Sequence, residues 1–480
     1  MKSLQHFIGG RWVEPVDGDI LTVVNPATEE AFARFGAASP KDVDRAVAAA
    51  VGAQGRWTAL PVAERVDRIN AWADSVAEQA AELAELECRE MGKPVATGRT
   101  FIDGAVAGLK AAAAQALTYP FTETVTGPDE ARTDIVRHPL GATAVITPWN
   151  FPVTMVLLAL GPLLAAGNTV VVKPSERSPV SIVRLFELAD AAGIPAGVLN
   201  LVLGDGRAGA ALAEHEDVQL VHFTGAVGTG RRVGAATGGR LHRSVLELGG
   251  KDPVVIDAGV DPVATARAVA FGAFVNTGQI CTSMERIYVH EEVADEFVAA
   301  LVAAAETFTL GDGLDPATVL GPLVDERQRA IVRRHVDDAV HKGATVRTGG
   351  AVPRRAGYFY PATVLTDVDD TMLVMTEETF GPVAPVAVVR TFEEGLARAA
   401  DSRFGLAATV YTGDPDHIAA AARLPAGVVW VNQWQGGGPE RLYEPARDSG
   451  MGATGARAAY DAATRPAAVH IAPTAPAARR

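Results

Sequence analysis

From about residue 141, short apolar runs rich in β-branched residues alternate with alanine-rich stretches that are long enough to form helices. The runs of this first series are Thr143–Ile146, Thr169–Val172, Val198–Val202 and Val218–Phe223. Strands that alternate with helices form parallel βαβ units, so the pattern predicts an open parallel sheet with helices on both faces. Because such sheets bind ligands beyond the carboxyl ends of their strands, the polar residues after each run are candidates for a binding site.

A second series of apolar runs begins at residue 253 and predicts a second α/β domain. Its runs are Pro253–Asp257, Arg286–Val289, Val383–Val389, Ala407–Tyr411 and Val428–Asn432. A chain of 480 residues exceeds the length at which one core stops growing, so two or three domains are expected. Upstream, apolar residues at three- and four-residue steps across residues 63–91 predict one amphipathic helix that ends at Gly92.

The overall charge and the cysteine content exclude several functional classes. A net charge of -14 disfavours nucleic acid as a partner. No window approaches 18 uninterrupted apolar residues and the first ten residues lack an apolar signal segment, so we expect no membrane partner and a cytoplasmic location. Two cysteines, Cys88 and Cys281, make no disulfide framework, and no Cys/His cluster has zinc spacing, so no metal site is expected.

Two side chains are candidates for covalent chemistry. Cys281 lies between the turn-forming Gly278 and the polar Thr282, outside any apolar stripe, which suits a nucleophile. On this ground alone an ordinary buried thiol is equally compatible. Glu247 lies inside an apolar run, where burial raises the pKa of a carboxyl group toward the range that a general base needs. Its alternative interpretation is a glutamate at the end of a strand that faces water.

Three further features would suit the binding of a nucleotide or an oxyanion. Asn150 offers an amide donor just after a strand, although an Asx turn before a proline explains it as well. The glycines of residues 223–230 follow a strand and lead into a helix, where backbone N–H groups can approach a pyrophosphate. Lys173 and Glu176 end another strand, and a glutamate there can hold a ribose diol. A structural glycine turn and a solvated loop are the respective alternatives.

Five fragments, taken together, resemble the NAD(P)-dependent aldehyde dehydrogenase superfamily from about residue 6 to residue 470. They occur in this order: TPWNFP at Thr147–Pro152, VVKPSE at Val171–Glu176, ELGGK at Glu247–Lys251, GQICTS at Gly278–Ser283 and EETFGP at Glu377–Pro382. The resemblance implies an α/β fold with two doubly wound parallel-sheet domains and a small β oligomerisation arm. It places the NAD-binding domain at 1–120 and 140–249, the catalytic domain at 250–446, and the arm at 121–139 and 447–480. A homodimer or homotetramer is implied.

The resemblance also implies a mechanism and a cofactor. Cys281 would attack an aldehyde, Asn150 and the Cys281 backbone N–H would hold the oxyanion, and Glu247 would activate the water that hydrolyses the thioester. The cofactor would be NAD, with NADP possible, because the Glu176 carboxylate repels a 2′-phosphate. The implied cofactor-binding residues are Thr147, Trp149, Lys173, Glu176, Gly225, Gly230, Leu248, Glu378 and Phe380.

The substrate pocket implied by the resemblance is mainly apolar. Its residues are Phe151, Met155, Leu158, Ile280, Thr282 and Trp434, with Tyr443 as a further candidate. This composition favours an uncharged aliphatic or aromatic aldehyde. Arg441 could instead hold a carboxylate and make the substrate a semialdehyde, but a surface arginine is the favoured interpretation.

Several positions depart from the family pattern. Ala226 replaces a serine of the phosphate loop, which predicts looser pyrophosphate binding. Ala159 and Thr454 replace a lysine and an acid that commonly pass protons to and from the catalytic glutamate. Without them, Glu247 is expected to exchange its proton directly with solvent. Residues 444–445, Glu-Pro, replace a Gly-Gly pair next to the pocket.

Three other functions share parts of this pattern. A CoA-acylating semialdehyde dehydrogenase would keep Cys281 but usually lacks the base that Glu247 supplies. A hydrolase without nicotinamide would not need the cofactor-binding residues Lys173 and Glu378. A non-catalytic binding or structural protein predicts the loss of Cys281, Glu247 or Asn150, and all three are present. The sequence therefore favours NAD⁺-dependent oxidation of an aldehyde to an acid.

Overall fold

A computed structural model describes residues 1–127, 131–437 and 441–472 of the chain. Its strands are β1 Lys2–Leu4, β2 His6–Ile8, β3 Arg11–Val13, β4 Ile20–Asn25, β5 Glu30–Gly36, β6 Thr122–Thr126, β7 Arg132–Pro139, β8 Ala142–Ile146, β9 Thr169–Lys173, β10 Leu199–Leu201, β11 Leu220–Thr224, β12 Arg243–Glu247, β13 Asp252–Ile256, β14 Met284–His290, β15 Thr345–Thr348, β16 Thr363–Thr366, β17 Val383–Val389, β18 Phe404–Gly405, β19 Ala407–Tyr411, β20 Val428–Val431, β21 Ala446–Arg447, β22 Gly450–Met451 and β23 Thr464–Ile471.

The helices are α1 Pro40–Thr58, α2 Val62–Glu78, α3 Ala80–Met91, α4 Val95–Gln115, α5 Pro152–Ala165, α6 Val180–Ala191, α7 Gly206–Ala213, α8 Val227–Gly239, α9 Pro262–Phe274, α10 Glu291–Ala305, α11 Glu326–His341, α12 Leu373–Thr376, α13 Phe392–Ala400, α14 Pro415–Ala421 and α15 Ala456–Ala463. A short turn, Val275–Gly278, follows α9.

The first apolar series forms the centre of an eight-stranded sheet with the order β22-β12-β11-β8-β9-β10-β2-β3. Strands β12 to β10 in this order are parallel, whereas β2, β3 and β22 are antiparallel to their neighbours. Helices α5 to α8 connect the parallel strands. All residues of β8 and β9 are buried, as expected for strands covered by helices on both faces. The predicted parallel sheet is confirmed.

The second apolar series forms a seven-stranded sheet with the order β15-β16-β17-β14-β13-β19-β20. It is parallel except for β15, which runs antiparallel to β16 at the edge. Separate hydrophobic clusters cover the two faces of each large sheet, so the molecule has two α/β cores. The second α/β unit is therefore also confirmed.

A third, three-stranded antiparallel sheet joins β6, β7 and β23. It is the small β unit that the resemblance implies, and its role in assembly stays a prediction. Within the expected arm at 447–480, β22 pairs with β12 of the eight-stranded sheet, and residues 473–480 lie outside the described part. The domain boundaries likewise stay predictions.

The prediction of one helix over residues 63–91 is wrong. The segment forms two helices, α2 and α3, because Gln79 leaves the helical conformation with φ −104° and ψ 12°. Helix α2 packs against α4, α5 and α6, and α3 packs against α4 and α6. Cys88 on α3 is only 2% exposed, and burial raises the pKa of its thiol to about 12. In the described ranges, no helix combines the length and apolarity that crossing a membrane requires.

Candidate active site

Cys281 lies in a tightly held loop between α9 and β14. The loop begins with three consecutive residues in the left-handed region, Asn276, Thr277 and Gly278, with φ of 52°, 59° and 68°. A Cβ on Gly278 would lie 2.2 Å from the Gly381 carbonyl oxygen, so this close approach requires glycine. Non-glycine residues in this conformation are strained and persist only where the surroundings hold them. One such contact is the hydrogen bond from Thr277 Oγ1 to the Gly321 carbonyl at 3.1 Å.

Asn150, which follows β8, ties this loop to the eight-stranded sheet. Its Nδ2 donates to the Gln279 carbonyl at 2.9 Å, and Asn276 Nδ2 donates back to the Asn150 carbonyl at 3.2 Å. An amide nitrogen carries two hydrogens, so Asn150 keeps one N–H for another acceptor. Because Gln279 is two residues before Cys281, that remaining donor lies close to the nucleophile candidate. The arrangement can supply one half of an oxyanion hole.

The Cys281 thiol is surrounded by groups that disfavour its ionisation. Burial is the main cause that raises its pKa, and the carboxyl groups of Asp252, Glu247 and Glu378 raise it further. A hydrogen bond from the Thr282 backbone N–H acts in the opposite direction. The sulfur is therefore a protonated thiol at neutral pH, and it must lose its proton as it attacks.

Glu247 ends β12, at the same edge of the sheet as Asn150. Burial raises the pKa of its carboxyl group to about 8, and the nearby Glu444 carboxylate also raises it. A hydrogen bond from Thr454 Oγ1 to Glu247 Oε1 at 2.9 Å lowers it. The pKa agrees with the range expected for a base that works near neutrality. Sequence reasoning left Glu247 without a protein partner, and the structure gives it one in Thr454.

Glu378 brings a third carboxyl group to the site. Its Oε1 accepts a hydrogen bond from the Gly250 backbone N–H at 3.1 Å, and a Cβ on Gly249 would lie 2.3 Å from its Oε2. Burial raises the pKa of Glu378 to about 8, and the charge of Glu285 contributes. The two glycines after Glu247 therefore allow Glu378 to approach the base and the nucleophile.

A clamp of four hydrogen bonds holds the turn that carries Glu378. Glu285 accepts the backbone N–H groups of Thr379 and Phe380, both at 2.8 Å. Gln328 Nε2 donates to the carbonyls of the same two residues, both at 3.0 Å. Lys251 pairs with the buried Glu285 at 2.7 Å. The clamp stabilises Phe380 in a left-handed conformation with φ of 50°, which is strained for an aromatic residue.

Sequence reasoning missed this clamp. Glu285 follows Cys281 by four residues and stands next to Arg286 at the start of strand β14, and two charged residues in a buried strand were an available signal. Gln328 lies on α11, and its amide offers no comparable signal in the sequence.

Polar groups lie together at and beyond the carboxyl ends of β8 and β9. Lys173 is buried, its Nζ donates to the Pro174 carbonyl at 2.6 Å, and burial lowers its pKa to about 8. Glu176, three residues later, is half-buried. The Thr147 hydroxyl is buried and has no hydrogen-bond partner in the protein. These groups can receive a polar ligand.

Aromatic side chains line the region between these groups and Glu378. The ring of Trp149 lies edge-on to that of Phe380, with centroids 5.4 Å apart. The Arg177 guanidinium lies 5.7 Å from the Trp149 ring and pairs with Asp325 at 2.9 Å. Trp149 and Phe380, predicted from separate fragments, are thus brought together.

The glycine-rich turn leads directly into α8. A Cβ would lie 2.7 Å from the Phe223 ring at Gly225 and 2.3 Å from the Leu248 side chain at Gly230, so both glycines are closely packed against side chains. Ala226 is the N-cap and offers no side-chain hydrogen bond to the helix. The helix N-terminus therefore keeps backbone N–H groups for an anion. With Lys173 and the carboxyl groups of Glu176 and Glu378, this set of polar groups fits a nicotinamide dinucleotide.

An apolar cluster lies next to the nucleophile loop. It consists of Phe101, Phe151, Met155, Val275, Ile280 and Trp434. This cluster therefore contains four of the predicted pocket residues, Phe151, Met155, Ile280 and Trp434. Phe101 was missed because it lies on α4, far from every recognisable fragment, although its ring centroid is 4.7 Å from that of Phe151.

The other pocket candidates have different positions. Thr282 is buried, and it accepts hydrogen bonds from Trp434 Nε1 at 3.0 Å and Gln435 Nε2 at 2.8 Å. Leu158 is 40% exposed and faces Gly108 of α4, so the structure does not place it in the cluster. Arg441 is exposed.

Comparison with known proteins identifies relatives across nearly the whole chain. The family model described as "Aldehyde dehydrogenase family" matches residues 12–469. Aminoaldehyde dehydrogenase 1 of Pisum sativum is 38% identical over 445 residues, covering 90% of this chain and 88% of the relative. The 2-hydroxymuconic semialdehyde dehydrogenase of a Pseudomonas species is 37% identical over 468 residues, covering 95% and 96%. The crystal structure of Staphylococcus aureus betaine aldehyde dehydrogenase with NAD⁺ superposes with a TM-score of 0.94 at 30% identity, covering 98% and 94% of the two chains.

Proposed function

This chain belongs to the aldehyde dehydrogenase family, and we propose that it oxidises uncharged, apolar aldehydes with NAD⁺ through an acyl-enzyme at Cys281. Membership makes it an NAD(P)-dependent aldehyde dehydrogenase. The observation that carries the proposal is the convergence of Asn150, Glu247 and Glu378 on the Cys281 loop. A thiol, an amide donor and a base of raised pKa are the three groups that acyl transfer through a thioester needs.

The first half of the reaction forms the acyl-enzyme. The Cys281 thiol releases its proton to water as the sulfur attacks the aldehyde carbon, so the S–H bond breaks, a C–S bond forms and the carbonyl oxygen becomes an oxyanion. The free N–H of Asn150 Nδ2 and the backbone N–H of Cys281 donate to that oxygen. When bound, NAD⁺ supplies the hydride acceptor for the oxidation of this thiohemiacetal to a thioester.

The second half hydrolyses the thioester. Glu247 takes a proton from water while the water oxygen attacks the carbonyl carbon. The C–S bond then breaks, the carboxylic acid leaves, and the proton held by Glu247 passes to the sulfur, so Cys281 recovers its thiol. Only the carboxylate form of Glu247 can accept the proton, so the active fraction grows as pH rises through about 8.

The preference for NAD⁺ is proposed to depend on Glu176. Its charge repels a 2′-phosphate, so kcat/KM with NAD⁺ should exceed that with NADP⁺ by about tenfold or more, which corresponds to roughly 1.4 kcal/mol. Glu176→Gln removes the charge and should raise the efficiency with NADP⁺ relative to NAD⁺ by about tenfold. Initial rates and fluorescence titration of both cofactors measure this. Glu216→Gln, an exposed glutamate of the same sheet's loops, is the matched control. A wild-type preference for NADP⁺ contradicts the assignment.

The class of aldehyde is proposed from the apolar cluster beside Cys281. Burying a charged group without a partner costs several kcal/mol, so charged aldehydes should be disfavoured there. A screen of NADH formation over aliphatic, aromatic, amino- and carboxy-aldehydes should give kcat/KM at least about tenfold higher for the uncharged compounds. The proposal would be contradicted if kcat/KM were highest with a carboxylated aldehyde and if Arg441→Gln abolished the activity with that aldehyde. That outcome would make the enzyme a semialdehyde dehydrogenase.

A further inference from the structure

Residues 442–454, here called the C-terminal wall, surround the proposed base. Glu247 is the register partner of Gly450 in the β12–β22 pair, and the Leu248 N–H donates to the Ser449 carbonyl at 2.9 Å. A Cβ on Gly450 would lie 1.8 Å from the Leu246 carbonyl oxygen, and its φ is 136°, so only glycine fits this approach. Backbone contacts therefore fix the wall against the strand that carries Glu247.

The same wall fixes the position of Thr454. The backbones of Tyr443 and Thr454 exchange two hydrogen bonds, of 2.9 and 2.7 Å. Thr454 Oγ1 lies 2.9 Å from Glu247 Oε1 and 3.4 Å from the Tyr443 carbonyl oxygen. The hydroxyl thus has the carboxyl group and one backbone acceptor within reach.

With both Glu247 Oε1 and the Tyr443 carbonyl oxygen within reach, the Thr454 hydroxyl can remain hydrogen-bonded while the Glu247 carboxyl group gains and loses a proton. A threonine hydroxyl has one hydrogen to donate and two lone pairs that accept. When Glu247 is ionised, Thr454 donates to it. When Glu247 is protonated, its O–H can donate to Thr454 Oγ1, which turns its own hydrogen toward the Tyr443 carbonyl. In both protonation states the Thr454 hydroxyl and Glu247 Oε1 remain hydrogen-bonded to each other.

We propose that Thr454 is a positioning residue, whose hydroxyl holds the Glu247 carboxyl group in place in both of its protonation states during deacylation. The inference rests on the proposed function, in which Glu247 activates the hydrolytic water. It adds that a neutral hydroxyl, at a position where an acid was expected, partners the base of this enzyme.

The groups around Glu247 predict how loss of the Thr454 hydroxyl would change the pKa of Glu247. The titratable groups that face it are the Glu444 carboxyl group, the Cys281 thiol and the Tyr443 phenol. Burial and Glu444 both raise the pKa of Glu247, and the Thr454 hydrogen bond is the effect that lowers it. Without the hydroxyl, the pKa of Glu247 should rise further above 8, and less of the base is ionised at neutral pH.

Comparison of Thr454→Val with Thr454→Ser tests the proposal. Valine keeps the shape and removes the hydroxyl, so the midpoint of kcat against pH should rise by about one unit and kcat at pH 7 should fall about tenfold. Serine keeps the hydroxyl and should stay within about twofold of wild type. The pre-steady-state burst of NADH, which reports the first half of the reaction, should be retained in both variants.

Three results would overturn the proposal: an unchanged midpoint in Thr454→Val, an equal shift in Thr454→Ser, or loss of the burst. Thr454→Ala must show the same upward shift, and it replaces the valine variant in the comparison should valine prevent folding. The variant Glu247→Gln distinguishes failure of the proposed function from failure of the role proposed for Thr454. Full turnover in Glu247→Gln contradicts the proposed function itself, whereas slow deacylation there with a normal profile in the Thr454 variants contradicts only the role of Thr454.

Discussion

Replacement of Cys281 by alanine should lower NADH formation by at least about four orders of magnitude, because it removes the thiol that forms the acyl-enzyme in the proposed mechanism. The remaining cysteine, Cys88, is 2% exposed on α3 and cannot substitute. The cofactor-binding residues are untouched by the change, so the variant should bind NAD⁺ as the wild type does. Continuous absorbance of NADH and fluorescence titration of NAD⁺ measure the two quantities separately.

Cys88→Ala is the matched control for Cys281→Ala. It removes the other thiol from a buried position in a helix, where the change creates a small cavity, and turnover should be kept. Intact-mass measurement during turnover should show an acyl adduct in the wild type and in Cys88→Ala, but not in Cys281→Ala. An adduct or substantial NADH production in Cys281→Ala would show that the nucleophile is elsewhere.

Replacement of Glu247 by glutamine should separate the two halves of the reaction. Steady-state kcat should fall by about 10²- to 10⁴-fold, the usual contribution of a general base. A burst of about one NADH per active site should remain, because formation of the thioester does not require this base in the proposed mechanism. Stopped-flow absorbance measures the burst and the following steady rate in one experiment. Disappearance of the burst would show that Glu247 acts before hydride transfer.

The raised pKa of Glu247 predicts the direction in which kcat changes with pH. The group has its pKa raised to about 8 by burial, so it is protonated and inactive below that pH and becomes a base above it. Wild-type kcat should therefore rise through about pH 8, and this step should be absent in Glu247→Gln. Glu444→Gln is the control: its charge raises the pKa of Glu247, so removing it should move the step to lower pH.

The strand pattern was predictable because it depends on local chemistry. Buried parallel strands require runs of apolar β-branched residues, and both series coincide with the observed strands within two residues at each end. The break at Gln79 was not predictable in this way. Apolar spacing continues across it, and neither glycine nor proline marks the position where the chain leaves the helix.

The residues of the candidate site can likewise be divided into those that the sequence located and those that it did not. By itself the sequence determined the family, the two parallel sheets and the positions of Cys281, Glu247 and Glu378, because each lies in a short recognisable fragment. Their catalytic and binding roles stay predictions that the variants above test.

Only the tertiary structure decided which distant residues join these groups. Phe101 reaches the pocket from α4, Glu285 and Gln328 hold the Glu378 turn, and Thr454 contacts the base. The physical reason is that these contacts join residues that are far apart along the chain. Periodicity and fragments report on residues that are neighbours along the chain, whereas a hydrogen bond between Thr454 and Glu247 depends on how two strands far apart in sequence are aligned.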